Sequence, residues 1–178
     1  NGYTQADIVN MARALTGWTS DDDDCKPSTY NAAKHDNGQK TIFGQTGNFG
    51  FEDAHNLIFT QRPDQVAHHI AGKLYKYFVY QNTDPQVIDG LAATFKGNWE
   101  ILPMVKLLFK SEHFFEEQFI NARIKSPMET FAPILKMTGV TYPLHITDDW
   151  LDDVNYWAYI LNEELYEPPN VSGWKEHR

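Results

Sequence analysis

The sequence contains a single cysteine, Cys25, in 178 residues. One thiol can neither close an intrachain disulfide nor supply the paired thiolates of a structural zinc site. Apolar residues never run uninterrupted for the length of about 18 that a membrane-spanning helix needs. We therefore expect no disulfide framework, no thiolate metal cluster and no transmembrane segment.

Positively charged residues are also scarce, since 15 Lys and Arg stand against 24 Asp and Glu and leave a net charge of −9. Such a surface repels a phosphate backbone, which argues against nucleic acid as a partner. Aromatic residues, by contrast, are plentiful: 5 Trp, 9 Tyr and 11 Phe in a chain that is 42% hydrophobic. This composition supports a folded core and excludes the disordered and collagen-like classes.

Most of the chain shows apolar residues at helical spacing, with helix start and stop signals around them. Thr4, Asp84 and Ser126 are predicted N-caps, and Pro63 is a predicted first helical residue. The helical pattern is lost between residues 19 and 51, which form a Gly- and Asp-rich segment with one candidate strand at residues 40–43.

The fold class predicted from these patterns is all-α. We expect one irregular helical domain over residues 1–178, built from about seven helices. One long Gly/Asp-rich loop and at most a short β-hairpin complete it. The chain does not begin with Met, and we expect it to be a fragment of a longer protein.

Pro133 lies well inside the helix that Ser126 is predicted to cap. There it removes a backbone hydrogen bond to Glu129, at a cost of about 3 kcal/mol relative to Ala. We expect a continuous but kinked helix from Pro127 to about Thr138, ended by Gly139. The cost is offset by burial of three apolar side chains: Phe131, Ile134 and Leu135.

The last predicted helix is apolar on two sides. Trp157 and Ala158 fall on one wide face, whereas Tyr156 and Tyr159 fall on the opposite side. We expect the helix to be sandwiched between layers. The alternative is an exposed aromatic platform, able to stack on a sugar.

Histidine and carboxylate residues are concentrated in the irregular segment and the helix after it. His35, Asp36, Asp53 and His55 are candidate ligands of a divalent cation such as zinc. No established metal-binding spacing surrounds them. The competing interpretation, which we favour, is a loop held by hydrogen bonds, with a tight turn that begins at Asp36. Apart from this divalent metal, the sequence predicts no cofactor.

Four further residues are candidate binding residues: Lys73, Tyr156, Tyr159 and Trp174. Lys73 lies beside the apolar face of the helix that starts at Pro63. It is expected to pair with Asp53 or Glu52, and anion binding is the alternative.

Five fragments stand in a specific order and spacing along nearly the whole chain. They cover residues 2–18, 35–44, 70–74, 125–129 and 168–174. In this combination they resemble the bacterial family called domain of unknown function 1800. One departure is residues 161–163, where many relatives have a Gly-Gln pair.

The resemblance implies an exported bacterial protein, longer at both ends than this chain, with no assigned activity. Our first hypothesis is an accessory or binding domain that contacts a partner protein or an envelope or extracellular polymer. If flanking segments normally cover the end helices, an unusually large apolar patch should surround Trp18, Tyr156, Tyr159 or Trp174. The second hypothesis is a metal-dependent hydrolase that uses the His/Asp group.

Overall fold

The structure, a computed structural model, describes residues 2–20, 27–122, 125–139, 149–163 and 167–168. The chain falls into two compact units, residues 1–116 and 117–178. The expectation of a single domain over the whole chain stays a prediction.

Seven α-helices lie within the described residues, which confirms the all-α prediction. They are α1 (Gln5–Ala14), α2 (Phe51–Gln61), α3 (Pro63–Phe78), α4 (Pro85–Asn98), α5 (Ile101–Lys110), α6 (Pro127–Met137) and α7 (Asp149–Ile160). Three short 3₁₀ turns accompany them, at Ala32–Lys34, Glu112–Phe115 and Glu117–Phe119. In the part of the chain that the structure covers, no helix has the length and apolar character to cross a membrane.

The three N-caps predicted from the sequence are confirmed, because each side chain accepts a hydrogen bond from the backbone of the first turn. Thr4 and Ser126 each form a complete capping box, with Asp7 and Glu129 as the respective partners. Asp84 accepts from two backbone N–H groups of α4. These caps satisfy N–H groups that the helix itself leaves unpaired, so they fix where the helices begin.

The irregular segment contains two small antiparallel sheets, one more than predicted. Strand β1 (Trp18–Thr19) pairs with β2 (Thr29–Tyr30), and β3 (Lys40–Ile42) pairs with β4 (Gln45–Gly47). Phe43 and Gly44 join β3 to β4, and both have positive φ angles, 51° and 82°. Positive φ at both central residues is typical of a type I′ turn, whose twist matches that of the paired strands.

Unit 1, residues 1–116, has its larger core where α3, α4 and α5 pack on one another. Nine apolar side chains of these helices are buried: Ala67, Ala71, Tyr75, Ile88, Leu91, Ala92, Phe95, Met104 and Leu108. A second, smaller core joins α1, β3 and α2 through Ala14, Ile42 and Ala54. The Asp7 carboxylate also accepts a 2.7 Å hydrogen bond from the Phe43 backbone N–H. The irregular segment is therefore fastened to α1 and α2.

Unit 2, residues 117–178, contains α6 and α7. The predicted continuity of α6 through Pro133 is confirmed. The helix ends at Met137, with Thr138 as its C-cap and Gly139, whose φ is +66°, directly after it. The predicted burial around the proline is wrong for Ile134, which is 50% exposed, because the described helix pair offers that face no neighbour. Phe131 is half-buried, and the side chain of Leu135 lies outside the described residues.

Helix α7 is not sandwiched over its C-terminal half. Tyr156 and Tyr159 are 56% and 60% exposed, and Trp157 is exposed on another side. Ala158 is buried. The exposed aromatic alternative is therefore the arrangement observed, and the side chains of residues 149–154 lie outside the described part.

Candidate functional site

Asp36, one of the four predicted metal ligands, is held by a bidentate contact with Arg13. The Arg13 Nε and Nη2 atoms donate to its carboxylate oxygens at 2.7 and 3.2 Å. The carboxylate also accepts from the Gly38 backbone N–H at 2.8 Å, which closes the predicted tight turn. The Arg13 guanidinium, with the Gly38 N–H, lowers the pKa of Asp36 to about 2. Asp36 thus remains charged at neutral pH and is fully engaged in holding the loop.

The other three predicted ligands lie in separate contacts. His35 Nδ1 donates to the Thr16 carbonyl oxygen at 2.9 Å, because a carbonyl can only accept. Asp53 caps α2, accepting from the Gly50 backbone N–H at 3.0 Å. His55 is exposed and contacts the Phe59 ring edge-on.

No group of three or more His, Cys, Asp or Glu side chains is placed to hold a metal ion, as far as the structure describes the chain. Cys25 lies outside the described residues. The hydrolase hypothesis therefore gains no metal-binding group from this geometry.

Lys40 is the buried cation of the same loop, and sequence reasoning missed its role. Its ammonium group donates to the carbonyl oxygens of Asp36 and Gly38, and to the Asn48 side-chain oxygen at 3.3 Å. A buried ammonium needs such acceptors to offset its lost hydration. Lys40 and Arg13 together fix the backbone of the loop between β2 and β3.

The loop supports a cluster of three exposed aromatic rings, Trp18, Tyr30 and Phe51, which we call the aromatic cluster. Trp18 and Tyr30 are cross-strand partners in the β1–β2 pair, with ring centroids 5.4 Å apart. Phe51, the first residue of α2, meets Trp18 edge-on at 5.7 Å. The three residues are 45%, 50% and 47% exposed.

Two neighbouring residues set the position of the aromatic cluster. Gly17 is buried beneath Tyr30, and a Cβ atom at Gly17 would lie 2.9 Å from the tyrosine ring. The His35 ring contacts Tyr30 at a centroid distance of 6.0 Å. His35, predicted as a metal ligand, thus serves here as a support for an exposed tyrosine.

The four predicted binding residues fall in different parts of the chain, and their joint role as a site stays a prediction. Tyr156 and Tyr159 lie in unit 2, and Trp174 falls outside the described residues. Lys73 is exposed on α3, and among the described residues it shows no ion pair with Asp53 or Glu52. The Asp53 carboxylate instead caps α2.

A partly buried polar array in unit 1 was not predicted from the sequence. The Tyr75 hydroxyl is 2.7 Å from His113 Nε2, and His113 Nδ1 is 2.8 Å from the Glu116 carboxylate. Burial raises the pKa of Tyr75. Tyr75 and His113 are 38 positions apart in the sequence, so no local spacing could reveal the pair. Because Tyr75 is buried, we assign the array to anchoring the 3₁₀ turn Glu112–Phe115 on α3.

A family model described as "Protein of unknown function (DUF1800)" matches residues 1–178. This match confirms the resemblance drawn from the sequence fragments. The searches of curated proteins and of solved structures found no significant match.

Proposed function

Since the chain belongs to this family of unknown function, we propose from its own geometry that it is a binding domain whose contact surface is the aromatic cluster. The observation that carries the proposal is the mutual contact of Trp18, Tyr30 and Phe51 while each stays about half exposed. Single exposed apolar residues are common on protein surfaces, but a contiguous group marks an interaction site.

The residues beneath the aromatic cluster hold its rings in a fixed arrangement, which is more typical of a binding site than of a surface loop. Gly17, His35 and the Arg13–Asp36 pair fix the rings from below. Rings that are already ordered lose little conformational entropy when a partner covers them. Trp and Tyr are also the residue types that contribute most to protein–protein affinity.

A partner protein fits the aromatic cluster better than a flat polymer does. The rings of Tyr30 and Phe51 are tilted by 52° and 60° to that of Trp18, so the three rings form no common plane. Non-coplanar rings make a surface suited to apolar side chains of a peptide segment. With a net charge of −9, we expect the partner segment to be neutral or basic. We also propose that the protein is bacterial and exported, as the family resemblance implies. A partner protein is compatible with that location.

Selection from a displayed library of random peptides tests the proposal without knowledge of the natural partner. We expect enriched peptides to be apolar or basic and to bind the wild-type chain in a fluorescence anisotropy titration. The Trp18→Ala variant should weaken that binding by about tenfold or more, because it removes the ring shared by both contacts. Phe115→Ala is the matched control, since Phe115 is an exposed aromatic residue outside the cluster. It should bind normally.

Two results would contradict the proposal. One is a library in which no peptide prefers the wild-type chain over the Trp18→Ala variant. The other is retention of the chain on an insoluble polysaccharide that the same variant abolishes, which would assign the cluster to a polymer instead.

A further inference from the structure

Helix α5 exposes more large apolar side chains than is usual for a helix at a protein surface. Met104 and Leu108 face the core, yet four other large apolar residues are exposed: Ile101, Leu102, Leu107 and Phe109. Helix α5 also carries Lys106 and Lys110, both exposed, and no acidic residue. A helix that is apolar on nearly all sides is normally covered on nearly all sides.

Helix α7 shows the same excess with the opposite charge. In its C-terminal half Tyr156, Trp157, Tyr159 and Ile160 are all exposed. The sequence of α7 contains three aspartates and neither Lys nor Arg. A helix of 12 residues is marginal in water without packing on its apolar side. The apolar residues of α7 therefore call for a covering surface.

We propose that α7 of one copy of the chain packs on α5 of a second copy. Both helices present large apolar residues, so their contact removes from water the surfaces that each leaves exposed. The lysines of α5 and the aspartates of α7 give the two helices complementary charge, whereas α5 against α5, or α7 against α7, would bring like charges together.

The proposed association is a twofold dimer, because a twofold axis makes the contact reciprocal. In a twofold dimer, α5 of the first copy meets α7 of the second, and α7 of the first meets α5 of the second. The contact thus occurs twice in each dimer. The aromatic cluster takes no part in it, so the association is independent of the binding proposed above.

Sedimentation velocity of the 178-residue chain over a wide concentration range tests the association. We expect a concentration-dependent dimer. Leu102→Glu and Tyr159→Glu should each weaken association by about tenfold or more, because each places a carboxylate in the apolar contact. Leu102 is 60% exposed, so neither the fold nor the circular dichroism spectrum should change. Val9→Glu, at a half-exposed site on α1, is the matched control and should dimerise normally.

Mixing the two variants distinguishes the proposed pairing from any other. The Tyr159→Glu chain keeps an intact α5, and the Leu102→Glu chain keeps an intact α7. One intact contact is therefore available only in the mixed dimer. We expect the mixture to associate more tightly than either variant alone.

Three outcomes would overturn the proposal. They are a wild-type chain that stays monomeric at every concentration, a folded Leu102→Glu variant that dimerises like the wild type, and a mixture that associates no better than its components.

Discussion

Gly17 occupies a position where a side chain has neither the backbone conformation nor the room it needs. Its φ is +95°, and a Cβ atom would lie 2.9 Å from the Tyr30 ring and 3.0 Å from the Asn31 carbonyl oxygen. Both neighbours are held in place, Tyr30 by its strand pairing and Asn31 by its backbone hydrogen bond to Gly17. We expect Gly17→Ala to lower the free energy of unfolding by about 2–4 kcal/mol, as measured by urea denaturation.

Gly72→Ala is the matched control for this substitution. Gly72 lies within α3, and a Cβ atom there would meet no atom within 4 Å apart from its chain neighbours and the backbone of its own helix. Alanine should therefore raise the free energy of unfolding by about 0.5–1 kcal/mol through its better helix propensity. A Gly17→Ala variant as stable as the wild type would show that the loop under the aromatic cluster is not rigid.

The sequence predicts those contacts of the candidate site whose residues are close together along the chain, and it does not predict the others. The turn at Asp36 involves neighbours two residues apart, so its residue types indicate it directly. The contact of Trp18 with Tyr30 depends on a strand pairing across a segment without helical or strand periodicity. The contact of Trp18 with Phe51 depends on how α2 packs on α1, which no single segment specifies.

Among the secondary-structure elements, α6 best tests how far burial of side chains compensates for a backbone hydrogen bond that the helix lacks. Pro133 has no N–H to donate to Glu129, and Ile134 beside it is half exposed. At Ile134, burial therefore offsets little of the cost of the proline. We expect Pro133→Ala to restore the hydrogen bond and to stabilise α6 by up to about 3 kcal/mol, measured as slower amide hydrogen exchange within the helix.

Lys136→Ala serves as the control in the same helix. Its side chain is exposed, so the change should alter the stability of α6 by less than about 0.5 kcal/mol. If amide exchange in α6 were unchanged or faster in Pro133→Ala, Pro133 would not destabilise the helix, and this prediction would be wrong.

The helices illustrate which part of a fold is local. The capping box at Ser126 and the N-cap at Asp84 depend on residues within one turn, and the sequence predicts both. The exposure of Ile134 and Tyr159 depends on which other surface lies against each helix. Helical periodicity identifies an apolar face but not its neighbour, which is why the predicted burial of Ile134 and the predicted sandwich around the described C-terminal half of α7 were wrong.

For the molecule as a whole, stability should differ between the two units. In unit 1, α3, α4 and α5 bury nine apolar side chains against one another, whereas Ala158 is the one buried residue among the described side chains of α7. Segments with few buried contacts open at lower free energy than a packed core. In dilute solution we expect the backbone amides of α7 to exchange with solvent much faster than those of α4, as measured by hydrogen-exchange mass spectrometry.

Raising the protein concentration should reduce the difference in exchange rate between α7 and α4 and should not increase it. Self-association through α5 and α7 covers α7, and a contact made only by the folded helix stabilises it by mass action. Exchange in α7 should therefore slow as the chain is concentrated, while α4, already protected by its own core, should change little. The Leu102→Glu variant should lose the concentration dependence of α7 and keep the protection of α4, because α4 is untouched by the substitution. Strong protection of α7 in dilute wild-type solution, equal to that of α4, would mean that α7 is covered within a single chain, and the second copy would then have no apolar surface to bind.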